Sequence, residues 1–136
     1  MHYKIKVKAK KHWKPLEVEE VRRATVWAMR YLELDISPIP IKINLRGKVT
    51  SVYGDCLDLD HKIVIRLFSS TEWISTLFHE LVHAKQYLYG DLQLENSYAY
   101  WKGRLLKRKN YDYSNEPWEI EAVKLEDEMT KKYLDF

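Results

Sequence analysis

TEWISTLFHELVHAKQYLYG, residues 71–90, holds His79-Glu80-Leu81-Val82-His83 inside a helical pattern. Ile74, Leu77, Phe78, Leu81 and Val82, with Tyr87 and Leu88 beyond, recur at helical spacing and predict a largely buried helix. Ser69 with Glu72 three residues on has the form of a capping box, and Gly90 suits the position just past the C-terminus. On such a helix His79 and His83 stand one above the other on the same face. Two stacked imidazoles can grip one Zn²⁺ ion, with Glu80 beside the first ligand placed to act on water at the ion rather than on the ion itself. Chance alone would write HExxH in roughly one chain of this length in a few hundred. The context weighs against chance, because histidines and a glutamate inside a buried helix are costly without partners. The competing reading is a pair of core histidines satisfied by each other or by nearby backbone.

Outward from this helix the chain alternates strands and helices. Upstream, KIVIRLF (residues 62–68) reads as a strand leading directly into it, and Asp60-His61 as the turn before that strand. Residues 49–53 form an extended stretch that Gly54 breaks and that Cys56, Leu57 and Leu59 continue. Ile41, Ile43 and Leu45 alternate as an earlier strand closed by Gly47. A first helix opens at Pro15 and runs to about Leu34, with Leu16, Val18, Val21, Thr25, Ala28 and Leu32 on one face. Ser37-Pro38-Ile39-Pro40 ends it. Before it, Tyr3, Ile5 and Val7 alternate with lysines, the pattern of a half-buried strand with a charged outer side.

Downstream, residues 91–116 are polar and aromatic and read as one long connection, with Tyr98, Tyr100, Tyr111 and Tyr113 in it. Trp101-Lys102-Gly103-Arg104 has the form of a tight turn. Pro117 opens a last helix with Trp118, Ala122, Leu125, Met129 and Tyr133 as its inward stripe. The expected class is α+β: a small, mostly antiparallel sheet with helices packed on one side, in a single domain spanning residues 1–136.

The chain has 136 residues, 46% hydrophobic and 13% aromatic, which excludes a disordered segment. A net charge of +3 is only mildly basic. The lysines near the N-terminus and the run Lys107-Arg108-Lys109-Asn110 make nucleic acid a partner of last rank. Cys56 is the one cysteine, so an intrachain disulfide is excluded and a reducing compartment expected. No apolar run reaches the ~18 residues of a membrane span, and the charged N-terminus is not the pattern of a secretory signal. The expected location is the cytoplasm of a bacterium or of a phage-infected cell.

A catalytic zinc site commonly uses three protein ligands and leaves one position for water. Gln86 and Tyr89 stand where the longer HExxHxxGxxH motif would place its glycine and third histidine, so a metzincin is excluded. The other histidines, His2, His12 and His61, all precede the motif, and carboxylates alone follow it. Glu119 leads, in the first turn of the last helix with Ala122 and Val123 giving it an apolar neighbourhood. Ordinary helix-terminus electrostatics accounts equally for an acid there. Glu121 ranks next, then Glu95 and Glu126.

HELVH on one helix, with Glu-x-Glu-Ala opening a later one, resembles the gluzincin zinc metallopeptidases, closest to their minimal single-domain forms, the minigluzincins. The tyrosine-rich loop and PWEIEA also resemble small phage and bacterial SprT-like metallopeptidases. The resemblance implies a zincin-like fold, with Glu119 as third zinc ligand and an edge strand, here residues 53–59, that pairs with an extended peptide or protein substrate. Several gluzincin families place an aspartate after Glu-x-x-Ala to orient a zinc-binding histidine. Val123 stands there instead, so another group must orient the imidazole.

The chemistry expected is metal-assisted peptide hydrolysis, with His79, His83 and Glu119 on Zn²⁺ and Glu80 as general base. A tyrosine hydroxyl from the loop, Tyr111 or Tyr113, is the expected oxyanion donor, with Tyr98 and Tyr100 behind them. Cys56 lies on the candidate edge strand, as a small buried hydrophobe or as a thiolate ligand. Two readings compete: a metal-stabilised binding protein without turnover, and a protease recruited to nucleic acid.

Overall fold

The computed structural model describes residues 5–9, 13–35, 37–59, 61–107 and 115–135. The elements run β1 (Ile5–Ala9), α1 (Pro15–Tyr31), β2 (Ile41–Lys48), β3 (Gly54–Asp58), β4 (Ile63–Ser69), α2 (Trp73–Leu88), β5 (Leu92–Leu94), β6 (Tyr98–Trp101), β7 (Arg104–Lys107) and α3 (Pro117–Leu134). The class is α+β, as expected.

The first sheet has the order β1-β2-β4-β3 and the second the order β5-β6-β7. Among the described residues, three of the five strand pairings are antiparallel; β1 with β2 and β2 with β4 run parallel. α1 supplies the crossover that a parallel β1–β2 pair requires. β3 turns back at the edge, so β4 enters the sheet between it and β2, again parallel to β2.

Alternation sets the buried side. Ile41, Ile43 and Leu45 lie in register with Ile63, Ile65 and Leu67, all at most 1% exposed, and they join α1 and α2 in one core. α2 is the central element and packs against α1, α3, β3, β4 and β5. An aromatic cluster ties the three helices: Trp27 lies 5.2 Å from Tyr133 and 5.5 Å from Phe78, and Phe78 lies 5.6 Å from Tyr133. Trp118 opens α3 against a smaller cluster with Leu92 and Ala99 of the second sheet.

Several local expectations change. Ser69 and Glu72 form no capping box: α2 starts at Trp73, Glu72 makes no side-chain cap, and the Ser70 hydroxyl accepts its backbone N–H at 3.0 Å. Leu16 is 72% exposed, and Ala24 and Met29 take the buried face of α1 instead. β2 continues through Gly47 to Lys48, with a register shift between Leu45 and Lys48. Residues 49–53 are the loop into β3, and Gly54 begins that strand in regular register rather than marking a bulge. The long connection is largely structured, since β5, β6 and β7 form a meander within it. Its predicted turn is present, with Lys102 and Gly103 both at positive φ (49° and 81°), the backbone of a two-residue hairpin.

Gly54 is required by space. A Cβ there would lie 2.8 Å from the Arg66 carbonyl oxygen and 2.9 Å from Thr76 Cγ2, so β3 lies against α2 at a distance only glycine allows. Gly54→Ala is expected to destabilise the protein by about 1–3 kcal/mol through overpacking. A denaturant midpoint equal to that of the parent would contradict this close approach.

Candidate metal centre

α2 and α3 carry the groups that converge. His79 and His83, four residues apart on α2, place their rings 4.8 Å apart at 82°. Glu119 sits one residue past Trp118 in the first turn of α3, and its backbone N–H bonds the Glu116 carbonyl at 2.9 Å. The burial of Trp118 against the second sheet fixes that turn, and Ala122, fully buried, keeps α3 slim along its inner side. The Glu119 carboxylate then spans both rings, with Oε1 at 3.0 Å from His79 Nε2 and Oε2 at 3.1 Å from His83 Nε2.

The set fits a metal ion by type and by distance. Two imidazole nitrogens and one carboxylate oxygen are the ligands of an open catalytic zinc site. Tetrahedral coordination at ~2.0 Å would separate neighbouring donors by about 3.3 Å, near the two distances from the histidines to Glu119. All three donor atoms lie within 4.8 Å of one another, the single such group among the described residues.

The outer ring nitrogens are also engaged. His79 Nδ1 lies 2.9 Å from Glu126 Oε1, and His83 Nδ1 lies 2.7 Å from Gln86 Oε1. These are the other orienting groups that Val123 made necessary; Val123 itself is 56% exposed and, against expectation, adds no apolar cover to Glu119. Glu126 follows Glu119 by seven residues, two helical turns on the same face, and this spacing was the available signal. Of the other carboxylates ranked as third ligands, Glu121 accepts from the Gln86 amide at 3.1 Å, and Glu95 is exposed in the β5–β6 turn. Neither they nor Glu126 belongs to the cluster.

Burial pushes the His79 imidazole down, but the hydrogen bonds it donates to Glu119 and Glu126 outweigh this and carry the pKa up to about 10. Burial opposes and Glu119 again prevails at His83, which is also raised. Glu80 is 7% exposed, and burial drives its pKa up to about 7 although both histidines pull it down.

Two hollows meet at Glu80. A cleft of about 560 Å³ is lined by Tyr53, Gly54, Thr76, His79, Glu80 and Glu126, among others. A smaller one of about 200 Å³ includes Cys56, Glu80, His83, Tyr87, Trp118 and Glu119. Gly54, at the start of edge strand β3, lines both. A further hollow, about 670 Å³ between α2 and α3, is lined by Glu126 but by none of the three clustered residues.

Tyr111 and Tyr113 lie outside the described residues, as do His2 and His12. Tyr98 and Tyr100 are partly exposed on β6 and pack edge to face on each other at 5.8 Å. Tyr87, read from sequence as core, lines the smaller hollow beside Glu80 and Glu119. Burial keeps its hydroxyl protonated and able to donate. His61 is exposed. Burial first, then Glu80, holds the Cys56 thiol well above its ordinary range, which favours the small-hydrophobe reading over a thiolate ligand.

No protein-family model, curated protein or solved structure matches the chain.

Protons and a metal ion compete for Nε2 of both rings. Zinc uptake should therefore release protons, and affinity should rise with pH until the raised pKa of His79, about 10, is passed. Calorimetry in buffers of different ionisation enthalpy measures the release, and uptake without it would contradict protonated rings in the metal-free site.

Proposed function

We propose that the chain is a zinc-dependent metallopeptidase of gluzincin type that hydrolyses peptide bonds. The observation that supports this best is the convergence of His79, His83 and Glu119 beside Glu80, with edge strand β3 running over the same two hollows. Zinc held by these three residues would polarise the scissile carbonyl and make a water a stronger acid.

The rest is the work of the chain. Glu80, poised near neutrality by its burial, accepts a proton from the attacking water and returns it to the leaving amine. A carboxylate of ordinary pKa would be a weaker base and would take the proton from the water less readily. The outer edge of β3 pairs with an extended peptide through main-chain hydrogen bonds, and alternate side chains of that peptide enter the hollows on either side of Glu80. Tyr87 supplies a protonated hydroxyl near the reacting carbonyl. No described helix is long and apolar enough to cross a membrane. A single cysteine suits the reducing cytoplasm as the place of action.

Elemental analysis should find one zinc per chain, lost in His83→Ala and Glu119→Ala. Zinc retained in Glu119→Ala would move the third ligand elsewhere, and a wild type that takes up no metal would sink the peptidase reading.

Glu80→Gln separates an enzyme from a metal-stabilised binding protein. The isosteric amide is expected to keep the zinc and the fold while lowering peptide hydrolysis roughly 10²–10⁴-fold, measured on a quenched fluorescent peptide library. Unchanged turnover in this variant would remove Glu80 from the chemistry.

A further inference from the structure

Gln86 lies three residues beyond His83 on α2 and is 0% exposed. A primary amide in such a place is costly unless both ends find partners. Its Nε2 donates to the Trp118 carbonyl at 3.0 Å and to Glu121 Oε1 at 3.1 Å, and its Oε1 lies 2.7 Å from His83 Nδ1. These neighbours leave one orientation. Turning the amide over would set its oxygen against a backbone carbonyl and a carboxylate, two acceptors with no hydrogen to give. The NH₂ must face α3, and the oxygen must face His83.

A carbonyl oxygen only accepts, so His83 Nδ1 must carry the hydrogen. Nε2 faces Glu119 Oε2, another acceptor, at 3.1 Å, so the metal-free ring has a hydrogen for each side and a metal ion would displace the one on Nε2. The same glutamine holds the carbonyl of Trp118, the residue next to Glu119, so it also sets the α3 turn against α2. Its second acceptor, Glu121, is met in turn by Lys102 Nζ at 3.5 Å from the β6–β7 turn.

We infer that Gln86 is a positioning residue for the metal centre: it anchors a hydrogen on His83 Nδ1, which turns Nε2 toward Glu119, and holds the helix turn that delivers Glu119. The inference rests on the metal-site reading above and goes beyond it by assigning the seating of His83 to one buried amide. Glu126 orients His79 through a charge. Gln86 does so through two acceptors that leave its own oxygen no other direction. A purely space-filling role would be met by any side chain of similar length, and methionine, without strong donors or acceptors, separates the two.

The test is proton NMR of the histidine rings at neutral pH without metal, for wild type and Gln86→Met, beside zinc affinity by chelator competition. The wild type should show a His83 Nδ1–H that exchanges slowly with water. Gln86→Met should put that hydrogen into fast exchange, leave the His79 ring as an unchanged internal control, and weaken zinc roughly 10–100-fold. A wild type with no hydrogen on Nδ1 of His83 overturns the inference, and this needs no variant to fold. So does a folded Gln86→Met that keeps the slow exchange, whatever its zinc affinity. A wild type that binds no zinc defeats the peptidase reading alone, and the exchange comparison still decides the inference.

Discussion

Glu119 brings a carboxylate into the contact between α2 and α3, where it is only 5% exposed and each oxygen must meet a donor or a cation. Both oxygens find imidazole nitrogens, 3.0 and 3.1 Å away. Much of the molecule follows from keeping that arrangement in place. α2 must cross the middle of the fold to hold two histidines at a fixed spacing. α3 must approach closely enough for its first turn to reach them, which the buried Ala122 permits and the aromatic cluster of Trp27, Phe78 and Tyr133 secures at the far end. Trp118 anchors the near end in the small core of the second sheet. That meander, read from sequence as a loop, is the footing of the carboxylate helix.

The charges around the rings are arranged in layers. Glu119 lies between the two Nε2 atoms, Glu126 lies outside His79, and Glu80 lies to one side with its acidity shifted by burial. Two imidazoles cannot balance three carboxylates while neutral, so the site draws in protons or a dication. Burial makes this demand sharper, because the low local dielectric strengthens every unpaired charge.

The sequence disclosed the parts governed by periodicity. Helical spacing gave α2 and its two histidines, Pro117 marked the start of α3, and Lys102-Gly103 marked the hairpin turn. Glu119 was legible as the leading carboxylate and no more, since first-turn acids are common for reasons unrelated to metals. The parallel pairings of β1 with β2 and of β2 with β4 were hidden, because alternation is the same in parallel and antiparallel strands. β5, β6 and β7 were hidden because strands of three or four residues give too few alternations to count. Gln86 was visible mainly as the wrong residue for another motif. Its place three residues after His83, on a face that must be buried, was the physical clue to a partner for the ring.

β3 ends the first sheet and pairs on one side only among the described residues. An edge open to an extended peptide is equally open to the same strand of another molecule, so selectivity against self-assembly must be built into it. The strand is short, at five residues, and carries Asp55 and Asp58 among its exposed or half-exposed positions. Short length makes a stacked ribbon of identical strands unfavourable. The edge is thereby biased toward partners unlike itself, and solubility and recognition become two results of the same five residues.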